Sequence, residues 1–99
     1  MNQSTDSIQP ADIARALGYQ VSEDPDQPGR FQWALRDESG RFLEGCEQSL
    51  DSEGEAWDDA TFSATSIIMG ALDISDEQWD AMSLEQQVER AREALAEGI

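Results

Sequence analysis

The chain has 99 residues, 22 of them acidic and 6 basic, for a formal charge of −16, with 38% hydrophobic residues and a single cysteine. This length predicts one small domain with a modest core. No apolar run approaches a membrane span, Cys46 has no second cysteine for an internal disulfide, and the six basic residues are too few to hold nucleic acid or an anionic membrane directly.

All six basic residues are Arg, at positions 15, 30, 36, 41, 90 and 92, and histidine is absent. The opening Met1–Asp6 is polar and lacks a basic region followed by an apolar one, so no signal peptide and a cytoplasmic protein are expected. Residues 1–7 are expected to be disordered and 8–99 to form a single small α+β domain.

In chain order, Pro10 suits the first turn of a helix, where its missing N–H costs nothing. Ile13, Ala14 and Leu17 give that helix an apolar face, and Gly18 is placed to close it in a left-handed cap. The phrase Asp12–Gly18 also resembles the first helix of many helix-turn-helix DNA readers, but the next segment is acidic and broken by Pro25 and Pro28, so no basic recognition helix follows. Tyr19–Val21 reads as a short strand. Asp24, Asp26 and Gly29 match three positions of a calcium loop, yet Leu35 stands where a bidentate Glu is required, and the segment reads as an ordinary loop.

Arg30–Arg36 alternates, with Phe31, Trp33 and Leu35 on one face. Asp37-Glu38-Ser39-Gly40 is a turn, and Arg41–Cys46 returns. Setting Asp37 opposite Arg41 with Gly40 as a bulge puts Leu43 against Leu35. That register leaves room at Gly45 for the Trp33 indole and turns Phe42 and Cys46 outward. The competing register brings Glu44 into the core, at a cost of several kcal/mol unless water reaches it.

Ser52-Glu53-Gly54-Glu55 reads as a capping box opening a long helix to Leu72. Its apolar stripe is Ala56, Trp57, Ala60, Ala64, Ile67, Ile68 and Ala71, mostly small, so a sheet can approach closely. Ser75–Gln78 and Ser83–Gln86 are further boxes, opening a short helix through Trp79 and Met82 and a longer one with Leu84, Val88, Ala91 and Leu95 inward. The predicted architecture is a short N-terminal helix, a three-stranded antiparallel meander packed on the long helix, then one short and one longer helix: α-β-β-β-α-α-α.

Without histidine there is no Ser-His-Asp or Cys-His arrangement and no imidazole metal site. Cys46 lacks the cationic neighbours that activate a thiol. No glycine-rich phosphate loop occurs. No enzyme, cofactor or metal is therefore expected.

Two acidic groups are the candidate binding residues. Glu44, Glu47, Asp51, Glu53, Glu55, Asp58 and Asp59 place seven acids in sixteen residues without one Arg. Glu85, Glu89, Glu93 and Glu97 recur every four residues along the last helix, about 6 Å apart, near the spacing of nucleic-acid phosphates. Arg90 and Arg92 dilute that ridge. Charge of this kind also serves solubility alone, or marks a halophile, although the nine Gln residues speak against the latter. Trp57 reads as core; Trp79 is either core or a partly exposed anchor.

Gly18-Tyr19, Phe31-x-Trp33, Gly40 and Ser52-x-x-Glu55-Ala56-Trp57 resemble a pattern in small proteins of bacterial phages and mobile elements, over about residues 11–60. The resemblance implies a short helix, a meander and a capped helix. Some small acidic proteins of such genomes inhibit restriction or CRISPR enzymes, at times by imitating nucleic acid. The resulting expectation is a non-enzymatic inhibitor. It would present Glu85, Glu89, Glu93 and Glu97, with Asp58 and Asp59, to the basic site of a nucleic-acid-binding protein. The alternative is an interaction module or homodimer using an apolar patch around Trp79 and Met82.

Overall fold

The computed structural model describes residues 8–46 and 48–98; the expected disorder of residues 1–7 and the acid Glu47 lie outside them. The element order is α1 (Ala11–Leu17), β1 (Tyr19–Glu23), β2 (Phe31–Arg36), β3 (Phe42–Gly45), α2 (Glu53–Leu72), α3 (Asp76–Ala81) and α4 (Leu84–Ala96). This is the α+β order expected from the sequence. The sheet is an antiparallel meander, β1-β2-β3. One face of β1 and β2 packs on α2, and α1, α2 and α4 pack on one another. No helix among the described residues is long and apolar enough to cross a membrane.

Local chemistry sets the ends of the elements. Pro10 precedes α1, and Asp12 accepts the Gln9 backbone N–H at 3.0 Å. Gly18 ends α1 at φ 113°, and a Cβ there would sit 2.6 Å from the Arg36 carbonyl oxygen, so the position requires glycine twice over. The Ser52 hydroxyl accepts the Glu55 N–H, the first half of the expected box. Full reciprocal boxes form at Ser75–Gln78 and Ser83–Gln86. Asp73 closes α2 in the left-handed region at φ 56°.

The core is one cluster. Ala56, Ala60, Ala64 and Ile68 of α2 are buried, and Ala60, Ala64 and Ile68 meet Leu17, Tyr19, Trp33 and Leu35 in that cluster. Small side chains on α2 let the aromatic residues of the sheet approach the helix closely. Ala71, placed on the same stripe by periodicity, is exposed at the end of the helix. Trp57 is half-buried, with the Arg15 guanidinium 4.2 Å over its ring. Trp79 is 7% exposed and joins the core.

The β2-β3 hairpin departs from both predicted registers. Asp37 does pair with Arg41, donating its N–H to the Arg41 carbonyl at 3.0 Å. Phe42 then sits opposite Arg36, but a bulge follows, and Glu44 rather than Leu43 lies opposite Leu35. Past the bulge the facing inverts. Gly45 makes room for the Phe42 ring, 3.1 Å from where a Cβ would stand, and not for Trp33. Phe42 is outward as expected, 55% exposed beneath Arg36. Cys46 is not: it packs against the core, and its Sγ accepts the Trp33 backbone N–H at 3.4 Å. Glu44 thus lies on the helix side of the sheet, where it remains exposed at the edge. Water reaches its carboxylate, so the burial penalty does not arise.

Candidate functional site

The α4 ridge is exposed as predicted. Glu85, Glu89 and Glu93 lie on α4, and Glu97 is its C-terminal cap. Two of the four charges are compensated on the same helix: Arg92 pairs with Glu89 and Arg90 with Glu93, each at three residues' separation. Four carboxylates less two guanidiniums leave a formal −2. Glu85 and Glu89 also line an open cleft against α1 that holds Asp12, Arg15 and Arg92. The ridge is therefore a mixed-charge surface.

The start of α2 carries denser charge. Ser52 fixes the first turn, which sets Glu53 and Glu55 at the positive end of the helix dipole. Glu55, Asp58, Asp59 and Phe62 follow at three- and four-residue steps, a face turned away from the buried alanines. Asp51, Glu55, Asp58 and Asp59 line one open cleft of about 530 Å³ with Arg30 and Phe62. Arg30 is committed, pairing with Asp51 and donating to the Ser49 carbonyl. Asp59 accepts the Trp33 indole N–H at 2.7 Å. That donor is neutral, so it offsets none of the formal charge of the cleft. Among the described residues, Glu55 and Asp58 enter no ion pair. Four carboxylates less one guanidinium leave a formal −3 within little more than two helical turns.

This cleft continues along α2. Leu50, Asp59 and Phe62 also border a neighbouring hollow of about 690 Å³, whose other walls are Glu44 of β3, Trp33, and Ser63 and Ser66 of α2. Leu50 is held in place by two backbone hydrogen bonds to Phe31, 2.9 and 2.7 Å, which tie the chain back to the β2 edge after β3 ends. Phe62 is 76% exposed in the middle of the combined groove. On the inner wall, the Tyr19 hydroxyl hydrogen-bonds the Ser63 hydroxyl at 2.9 Å. Burial raises the Tyr19 pKa; the Ser63 contact opposes that shift and the nearby Glu44 charge adds to it.

The predicted residues divide accordingly. Asp58 and Asp59 share the α2 cleft, whereas Glu85 and Glu89 line the α1–α4 cleft, and the two clefts have no residue in common. Trp79 as an exposed anchor is overturned: its ring is in the core, and α4 holds α3 down through the Gln87 side-chain amide, which donates to the Trp79 carbonyl at 3.0 Å. An apolar patch centred on Trp79 and Met82 is not presented, since Met82 too packs against the core. Phe62 was missed by the sequence reading. Its signal was available: it is an aromatic residue two positions past Ala60, about 200° around the helix from the buried stripe.

Comparisons with protein-family models, curated proteins and solved structures return no match. The resemblance to small phage proteins gains no support from them.

Proposed function

We propose that this protein is a non-enzymatic binding protein that docks its acidic α2 face on the basic surface of a nucleic-acid-binding protein and competes with nucleic acid there. The observation that carries the reading is the uncompensated charge of Glu55, Asp58 and Asp59 beside the exposed Phe62. Carboxylates held on a rigid helix meet Arg and Lys without a large ordering cost, and the net charge of −16 steers such a partner in. The α4 ridge, half neutralised, is the secondary surface. Inhibition of a restriction or CRISPR enzyme is one form this activity takes.

The test is capture of cellular proteins on the immobilised chain at low and high salt, with elution by duplex DNA. Retained proteins should be nucleic-acid binders, released by salt and by DNA, and the Glu55→Lys/Asp58→Lys variant should not retain them. Retention indifferent to salt, to DNA and to that double substitution overturns the reading. Asp59 is left out of the variant because it also holds Trp33.

A further inference from the structure

We infer that the groove between β3 and α2 receives an extended, Arg- or Lys-bearing segment of the partner, which adds a fourth strand to the free edge of β3. The inference rests on the acidic docking reading above and names the part of the partner that enters.

Three observations converge on that groove. The sheet ends at β3, whose far side pairs with no strand among the described residues. An edge of this kind presents unpaired N–H and C=O groups. The long helix supplies the opposite wall: Phe62 and Ser66 of the 20-residue α2 line the hollow together with Glu44 and Gly45 of β3. Phe62 supplies the apolar contact that a side chain of an added strand would cover, since alternate residues of a strand point to one face.

Charge selects the occupant. Glu44, brought to the helix side by the bulge, projects from the edge strand itself, and Asp59 faces it from α2 across the same hollow. An inward charge on an edge strand opposes pairing with a second copy of the chain, which would bring the same carboxylate. It accepts a strand with a Lys or Arg at that position. Asp58 and Glu55 extend the acidic wall toward the start of α2 for a further basic residue.

The probe is a synthetic eight-residue peptide of alternating Arg and Val, with a second peptide of the same sequence N-methylated at alternate residues along one edge. Binding is followed by amide chemical shifts of the full chain at low salt. The unmodified peptide should shift the Leu43–Gly45 and Phe62 amides and bind about tenfold more weakly to Phe62→Ala and to Glu44→Gln. The Glu77→Gln/Asp80→Asn variant, at exposed positions of α3 outside both clefts, should bind as the parent does, and the N-methylated peptide should lose most of its affinity. Equal binding of the two peptides, or shifts confined to α4, overturns strand addition while leaving acidic docking intact. Failure of both peptides to bind at low salt removes strand addition; the capture experiment, scored separately, then decides whether acidic docking falls too. Phe62 is exposed, so its replacement leaves the core untouched, and the shift spectrum itself reports whether each variant is folded.

Discussion

The indole N–H of Trp33 donates to the Asp59 carboxylate at 2.7 Å, joining the middle of the sheet to the second turn of α2 across 26 residues of chain. The same carboxylate lies on the rim of the acidic groove, so one residue serves both fold and surface. Asp59→Ala leaves the indole N–H without its partner and should destabilise the fold by about 1–3 kcal/mol. Asp59→Asn keeps an acceptor and should lose less, although both remove the charge. Urea denaturation of the two variants separates these roles, and equal losses would show that the hydrogen bond contributes nothing.

Gly18→Ala should be among the most damaging small substitutions. The residue combines a positive φ of 113° with a carbonyl oxygen 2.6 Å from the new Cβ. The left-handed conformation alone costs an L-residue about 1–2 kcal/mol, and the contact requires the turn into β1 to shift as well. Gly40 offers the control: its φ is 90°, but nothing lies within 4 Å of a Cβ there. Thermal melting should show a clearly larger loss for Gly18→Ala than for Gly40→Ala.

Acid should weaken the loop between β1 and β2. The Ser49 hydroxyl and the Asp26 backbone N–H donate to Asp24 and hold its pKa below the usual carboxylate range. A folded pKa below the unfolded value of about 3.9 means the contribution is present above that pH and disappears as pH falls through the folded value. Asp37 is depressed in the same direction by the Ser39 hydroxyl and the Arg41 N–H, and Asp12 by the Gln9 N–H. Protonation of the other carboxylates acts oppositely by relieving repulsion. The clean measurement is therefore a difference: Ser49→Ala should cost stability at about pH 7 and progressively less toward about pH 2. A gap between parent and variant that does not change with pH would refute the assignment.

Trp79→Ala should cost about 3–5 kcal/mol, the usual range for emptying a buried indole site, because the side chain is 7% exposed. Trp79→Phe should retain most of the stability and leave capture of basic partners unchanged. Reduced capture by a well-folded Trp79→Phe protein would restore the apolar-patch alternative.

The sequence by itself determined the elements and their ends. Capping at Ser75 and Ser83, closure at Gly18 and the alanine stripe of α2 act within a few residues of chain, so their effects are legible without knowing what packs where. Only the tertiary structure decided the rest. The bulge at Leu43 goes with Phe42 lying over Gly45 within β3 and with Cys46 meeting Trp33 of β2, two contacts that one extra residue satisfies together. Periodicity assigns a side chain to a face of its own element, but another element decides whether that face is covered. Trp79 is core because the rest of the molecule closes over it, two of the four α4 glutamates are paired by arginines of that same helix, and Glu44, Asp59 and Phe62 share a groove because the β3 edge and α2 come together there.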